Sequence, residues 1–264
     1  MRRADLLNAS VRGPAGAPAI VFVHGFGCGQ HMWRHVAPSF EGGHQVVLLD
    51  LPGSGDAADD AYDSGRHGTL DGYRDDLAAL LDELGLRDVT LVGHSVSAMI
   101  GVLLQVARPD LVSRLVLVTP SARYIDAGAY VGGHSETDID ELLDLMSRNH
   151  LGWQDPLATM VAGAPDSATH GELEQAFCRT RPEVAAEFAA VTFRGDNRAD
   201  LPLVSVPTLV LQSSDDVIAP ESAGEYVRDA IPGAAYEVVE TRGHCPHLTA
   251  PDATIAAIAQ FLRP

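Results

Sequence analysis

The chain has 264 residues, of which 46% are hydrophobic and 20% are charged, a composition typical of a globular protein with a substantial core. The formal net charge is -18 at pH 7, and every basic side chain is an arginine, so neither nucleic acid nor an anionic membrane surface is expected as a partner. The 3 cysteines are few and odd in number. Together with a start that lacks the apolar stretch of a secretory signal, they predict a reducing, cytoplasmic location.

Short apolar runs alternate with helical patterns in the first half of the chain. Helices are predicted where leucines recur at helical spacing and where a proline-free apolar run continues, at 70–84 and 97–107. This alternation predicts an α/β fold with a mostly parallel, doubly wound sheet covered on both faces. The predicted strands are 6–12, as an edge strand, 19–23, 45–49, 89–92 and 115–118.

The alternation stops between 118 and 208, a gap far longer than the roughly 2–6 residues of an ordinary connection. Helical patterns fill this gap, and one of them begins with a capping box at Thr169-His-Gly-Glu172. The other three are centred on 139–146, 153–161 and 182–193. The sheet then resumes at 208–212 and 236–239, and a last helix is predicted at 253–262.

This pattern predicts one core domain with an insertion. We expect a four-helix lid over 123–199, inserted after the sixth strand, and a core made of 1–122 and 200–264. A helical lid over the carboxyl edge of a sheet would enclose an apolar chamber.

Ser95 stands at a tight junction between a predicted strand and a predicted helix. In the string Gly93-His94-Ser95-Val96-Ser97, small residues lie two before and two after Ser95, which lets strand and helix approach closely. The turn would present the hydroxyl beside the Val96 N–H at a helix N-terminus, where negative charge is favoured. The pattern predicts a nucleophile elbow in which Ser97 replaces the usual second glycine. The alternative is an ordinary serine N-cap.

A catalytic serine needs a base, and the base needs an anionic partner that fixes its tautomer. Asp215 and Asp216 follow the next-to-last predicted strand, and His244 and His247 follow the last one. Neighbouring side chains on a strand point to different sides, so only one of the two carboxylates can reach the imidazole, and we choose Asp216. We choose His244 because it directly follows a glycine at the strand exit. Asp215 is then a turn former, and His247 is a packed or capping side chain.

Acyl transfer also requires hydrogen-bond donors for the oxyanion. The loop His24-Gly25-Phe26-Gly27 follows the strand 19–23, so the Phe26 N–H is the expected partner of the Val96 N–H. The ring of Phe26 would then face the pocket. The alternative is a plain glycine turn.

The grouping of His244, Cys245 and His247 raises the question of a metal site. Its spacing matches no standard zinc pattern, and the sequence shows no complementary Cys or His pair. We therefore expect no metal and no organic cofactor. Cys28 and Cys245 flank the expected site, either as reactive thiols or as small buried side chains.

With these residues assembled, the chain resembles the RsbQ-like branch of the α/β-hydrolases, a group of bacterial stress regulators related to plant strigolactone and karrikin receptors. The resemblance extends over nearly the whole chain. It depends on the strings His24-Gly-Phe-Gly-Cys-Gly-Gln30 with Trp33, Asp50-Leu-Pro-Gly-Ser-Gly55, Thr69-Leu-Asp-Gly-Tyr73, Gly93-His-Ser-Val-Ser-Ala-Met-Ile-Gly101, Ala107-Arg-Pro-Asp110, Tyr130-Val-Gly-Gly133, Asp215-Asp-Val-Ile-Ala-Pro220 and Gly243-His-Cys-Pro-His247.

The resemblance implies a lid of four helices, an acid at Asp216 and a base at His244, and the plant receptors look the same at Ser97. Two positions depart from the family, because His134 stands where phenylalanine is common and His150 where tyrosine is common. A more polar wall than usual is therefore expected, which argues against a plant hormone as the ligand. The predicted pocket residues are Phe26, His94, His134, His150, Trp153, Phe193 and Val217.

These features predict a serine hydrolase that opens a small apolar ester or a butenolide-like lactone. The alternative is a small-molecule sensor that uses the same triad slowly and acts through a signalling protein partner. A third possibility is other chemistry on the same fold, such as C–C bond hydrolysis or cofactor-free haloperoxidase action.

Overall fold

The computed structural model describes residues 1–148, 152–165 and 167–263. Its strands are β1 (Ser10–Arg12), β2 (Ala19–Val23), β3 (Gln45–Leu48), β4 (Val89–His94), β5 (Val112–Val118), β6 (Thr208–Asp215) and β7 (Ala235–Arg242). Its α-helices are α1 (Arg3–Leu6), α2 (Ser64–His67), α3 (Leu70–Leu84), α4 (Val96–Ala107), α5 (Glu136–Arg148), α6 (Gln154–Ala162), α7 (Ala168–Arg179), α8 (Pro182–Phe193), α9 (Glu221–Ala230), α10 (Pro246–Thr249) and α11 (Pro251–Phe261).

All seven strands form one sheet in the order β1-β3-β2-β4-β5-β6-β7. Only β1 pairs antiparallel, with β3, and the other neighbours are parallel. Alternate side chains of β2 enter two different cores: Val21 and Val23 pack with α3, α4 and α9, whereas Ile20 and Phe22 pack with α11. The expected doubly wound α/β sheet is confirmed.

Helices α5 to α8 form the insertion between β5 and β6, with α6 packed on α7 and α5 on α8. The insertion follows the fifth strand from the N-terminus and not the sixth, because only three strands precede the elbow strand β4. The capping box expected at Thr169 is also wrong. The N-cap of α7 is Ser167, two residues before Thr169. The Ser167 hydroxyl accepts a hydrogen bond from the His170 N–H at 3.0 Å, an amide in the first turn that has no acceptor within the helix.

Only residues 10–12 of the expected edge strand 6–12 form a strand, because Leu6 ends a helix and a turn follows it. Helix α1 ends at Leu6, and β1 is only three residues long. The Glu83 carboxylate, at the end of α3, accepts hydrogen bonds from the Arg3 and Ala4 amides at 2.5 and 3.1 Å. These bonds satisfy free amides in the first turn of α1 from a position some 80 residues away. Such a partner leaves no local pattern in the sequence.

Helix α9 was not expected from the sequence, whereas α3 and α8 have the predicted bounds. Within the described ranges, no helix is long and apolar enough to cross a membrane.

Candidate active site

Ser95 lies at a strained turn between β4 and α4. Its φ of 58° and ψ of -123° are unusual for a residue with a side chain and cost on the order of 1–3 kcal/mol. The Ser95 amide donates to the Val118 carbonyl at 2.9 Å, at the end of β5. The Ser97 hydroxyl donates to the His24 carbonyl, so its extra group connects the elbow to the loop after β2. The turn therefore holds the Ser95 hydroxyl at the carboxyl edge of the sheet.

The elbow leaves no room for a side chain at position 93. A Cβ there would lie 2.3 Å from the Ser97 carbonyl oxygen, which is backbone and cannot move aside. We expect Gly93→Ala to lower the free energy of unfolding by about 2–4 kcal/mol, measured by urea denaturation.

Gly171→Ala is the matched control for this substitution. Gly171 lies within α7 and a Cβ there would meet nothing within 4 Å, so the variant should be as stable as the parent or gain up to about 1 kcal/mol. Equal stability of the two variants would show that the elbow tolerates a methyl group.

Three predicted side chains meet at this edge. His244 Nε2 lies 2.8 Å from Ser95 Oγ, and His244 Nδ1 lies 2.6 Å from Asp216 Oδ2. The other Asp216 oxygen accepts the Ile218 and Ala219 amides at 2.9 and 3.1 Å. All three side chains are buried. The arrangement has the hydrogen-bond order of a nucleophile, a base and an orienting carboxylate.

The two competing candidates are elsewhere. Asp215 is exposed and pairs with Arg242 at 3.1 Å. His247 is fully buried and stacks on Trp33, with ring centroids 4.4 Å apart. Neither has a hydrogen bond to Ser95 within the described part of the chain.

The backbone of His244 is held from two sides. Its amide donates to the Val161 carbonyl of α6 at 2.7 Å, and its carbonyl accepts from His94 Nε2 at 2.9 Å and from the Thr119 hydroxyl at 3.0 Å. The position of the imidazole therefore depends both on the inserted helix α6 and on the elbow strand.

A narrow apolar cavity lies above Ser95. The ring of Phe26 packs among four aromatic rings of the insertion, at centroid distances of 5.4 to 6.2 Å. The remaining space is about 20 Å³, room for roughly one water molecule. A ligand larger than this enters only if side chains of the insertion shift. The cavity is lined by Phe26, Cys28, His94, Ser95, Leu157, Val161, Phe177, Thr192, Phe193, Ile218 and His244.

Only some of the predicted pocket residues lie at the cavity. Phe26, His94 and Phe193 line the cavity, and Trp153 is buried behind it, with its ring 6.2 Å from that of Phe26. Val217 was predicted wrongly, because its side chain is 54% exposed.

The remaining two predicted positions are both histidines. His134 is hydrogen-bonded through Nε2 to the Ile218 carbonyl at 3.1 Å and is absent from the cavity wall. His150 lies outside the described residues. The bonds from Asp216 to the Ile218 and Ala219 amides fix this turn, and it presents Ile218, not Val217, to the cavity.

Tyr124 is a site residue that the sequence did not reveal. Its hydroxyl lies 3.2 Å from Ser95 Oγ, and its side chain is buried against Phe193. Burial raises the pKa of this phenol, so the hydroxyl stays protonated and available as a donor at neutral pH. It lies in an irregular segment after β5, where no periodic pattern marks a buried face.

Several histidines are buried without charge near the site. Burial lowers the pKa of His24, His94 and His247, in the last case to about 3, with the neighbouring His244 as a further cause. Since the unfolded chain titrates near 6.5, it binds more protons than the folded chain below that pH. Stability is therefore full above pH 6.5 and is lost as the pH falls towards 3.

We expect the free energy of unfolding to fall by roughly 3–4 kcal/mol per pH unit near pH 5, because up to three extra protons bind on unfolding. Urea denaturation between pH 7 and pH 4.5 measures this slope. His247→Leu should reduce the slope by about 1.4 kcal/mol per pH unit, whereas His35→Gln, at an exposed position, should not. An unchanged slope in His247→Leu would contradict the assignment.

The parallel sheet, the strained serine turn and the helical insertion define an α/β-hydrolase. The chain belongs to the alpha/beta hydrolase family, which it matches over residues 20–257. It is 38% identical to the strigolactone esterase D14 of Arabidopsis thaliana, with 98% of this chain and 96% of that protein covered. It is 37% identical to the karrikin insensitive 2 receptor CA of Petunia hybrida, with 97% and 95% covered.

A solved structure agrees with these relatives. A hydrolase from Oleispira antarctica superimposes with a TM-score of 0.95 at 34% identity, with 98% of this chain and 95% of that chain covered. The resemblance to the plant receptors that the sequence motifs indicated is thereby confirmed.

Proposed function

We propose that the protein is a serine hydrolase that cleaves a small apolar ester or lactone, of butenolide type, in a lidded pocket. The observation that carries this proposal is the continuous chain of hydrogen bonds from Ser95 Oγ through His244 to Asp216, at 2.8 and 2.6 Å, beneath an apolar cavity. Residues 123–199 serve as the lid, and 1–122 with 200–264 serve as the core.

Ser95 Oγ attacks the acyl carbon while His244 Nε2 takes its proton. The negative charge then develops on the carbonyl oxygen, to which we expect the Phe26 and Val96 amides to donate hydrogen bonds. The Val96 amide suits this role because it lies at the first position of α4 and has no acceptor within the helix. His244 returns the proton to the leaving oxygen as the ester C–O bond breaks. Water attacks the acyl-serine by the same route and restores the enzyme.

The cavity favours ligands with little polar surface. Its wall is mainly aromatic and aliphatic, and its hydroxyl and imidazole groups come from Ser95, Thr192, His94 and His244. An apolar acyl group would pack against Phe26 and Phe193, while only the carbonyl needs hydrogen-bond donors.

The first experiment combines turnover with intact mass spectrometry. The protein is incubated with a p-nitrophenyl ester and with a fluorogenic butenolide, and we expect release of the chromophore and an acyl adduct on Ser95. Absence of both turnover and adduct would reject the proposal.

A second candidate is a small-molecule sensor that acts through a signalling protein. The similarity to a named karrikin receptor supports it, and a receptor can use the same triad. Turnover more than 100-fold below the roughly 1–10³ s⁻¹ of ordinary enzymes, together with a ligand-dependent rise in melting temperature, would favour the sensor. Fast turnover would favour the hydrolase.

A further inference from the structure

Three side chains of metal-ligand type meet directly beneath the triad. His94 ends β4. Cys245 directly precedes α10 and His247 lies within that helix, 151 or more positions later in the chain. One ligand atom from each lies within 4.8 Å of the others, and Cys245 Sγ is 3.9 Å from His94 Nε2. The sequence analysis found no further metal ligand to go with Cys245 and His247, because the third ligand, His94, belongs to the nucleophile elbow.

His247 is the observation that points to a ligand here. Its side chain is 0% exposed, and neither ring nitrogen has a hydrogen-bond partner among the described residues. Its ring stacks on Trp33 and meets the ring of His94 edge-on, at a centroid distance of 4.5 Å. A buried polar group without a hydrogen-bond partner destabilises the fold by about 1–3 kcal/mol. An ion bound to one ring nitrogen of His247 would give that nitrogen a partner and so remove its share of this cost.

We propose that His94, Cys245 and His247 form a buried binding site for copper(I). One thiolate with two imidazoles is a trigonal donor set of the kind that copper occupies in proteins, and thiolate is a soft ligand. All three side chains are nearly inaccessible to solvent, and they supply three protein ligands, one fewer than the four of a structural zinc site.

The proton changes of binding can be followed at each ligand. The Cys245 thiol loses its proton to solvent and forms the copper–sulfur bond. His94 moves its proton from Nε2 to Nδ1, so that Nε2 can bind the ion. The His244 carbonyl loses the His94 donor but keeps the Thr119 hydroxyl at 3.0 Å, so it does not become an unpaired buried acceptor.

Copper binding acts on the triad through the backbone of His244. Binding breaks the hydrogen bond from His94 to the His244 carbonyl, and the ion also binds Cys245, the residue that follows His244. We expect this to displace the imidazole from Ser95 and inhibit hydrolysis. The inhibition rests on the proposed function, whereas the binding does not.

The binding test uses competition for copper(I) with a chromophoric chelator, bicinchoninate, under anaerobic conditions. All proteins carry Cys178→Ala, because Cys178 is an exposed thiol that would bind soft metals at the surface. We expect this parent to take one copper per chain. Cys245→Ala should lower its affinity about 100-fold or more, and His247→Leu should also lower it.

Cys28→Ala is the matched control, because it also removes one buried thiol near the site but not a ligand. It should bind copper as the parent does, and X-ray absorption of the loaded parent should show one sulfur and two nitrogen ligands. The proposal fails if Cys245→Ala binds as the parent does, or if the parent takes up no copper. The chelator signal is independent of ester turnover, so this failure is distinct from a failure of the proposed hydrolysis.

Discussion

Replacing Ser95 with alanine should lower kcat/KM for a p-nitrophenyl ester by about 10⁶-fold, the loss typical when the nucleophile of such a triad is removed. The variant retains the oxyanion donors and the pocket, so residual catalysis over water of about 10³–10⁴ remains possible. Steady-state kinetics measure the loss, and intact mass spectrometry should show that the acyl adduct disappears. Folding should be preserved, because alanine removes only the hydroxyl.

Ser147→Ala is the control for this variant. Ser147 is exposed on α5, and its hydroxyl donates to the Asp144 carbonyl of its own helix, so kcat/KM should remain within twofold of the parent. If Ser95→Ala keeps more than about a hundredth of the activity, another group attacks the substrate and the assignment of Ser95 is wrong.

Replacing Asp216 with asparagine should lower kcat by about 10⁴-fold with little change in KM. The Asp216 oxygen that accepts the Ile218 and Ala219 amides at 2.9 and 3.1 Å must remain an oxygen in the variant. The new NH₂ group therefore faces His244 Nδ1 and donates to it. This forces the proton onto Nε2, the nitrogen that must accept the proton of Ser95. The base is then held in the wrong tautomer.

Asp215→Asn tests the same change at the adjacent carboxylate. Asp215 is exposed and bonded to Arg242, and exposed ion pairs contribute about 0–1 kcal/mol. Its kcat should stay within twofold of the parent. Equal losses in the two variants would mean that neither carboxylate orients the base in the way described.

The parallel sheet and its helices were readable from the sequence because each element carries its own local pattern. Residues 70–84 repeat leucines at the spacing of one helix face, and the strand at 19–23 is uniformly apolar because β2 is buried on both sides. Helix α1 was missed because its first amides are satisfied by Glu83, a distant partner. The cap of α7 is local, but it lies at Ser167, two residues before the expected Thr169.

The candidate triad was also readable, since each member follows the end of a strand and the carboxyl ends of parallel strands meet at one edge. The opposite directions of neighbouring side chains meant that only one of Asp215 and Asp216 could reach the base. The choice of Asp216 agreed with the family resemblance, and in the structure Asp216 lies 2.6 Å from His244. The residues that line the pocket were harder to predict from the sequence. Val217 was chosen where Ile218 lines the cavity, and Tyr124 was missed.

The sequence by itself determined the α/β architecture, the sharp serine turn, the order of the three candidate triad residues and the presence of a helical insertion. These features arise from local periodicity and from small residues at fixed spacing, which act over a few positions. Only the tertiary structure decided which side chains close the cavity, that Tyr124 reaches Ser95, and that His94 meets Cys245 and His247. Those contacts join segments up to some 150 residues apart, and their geometry depends on how helices and turns pack against the finished sheet.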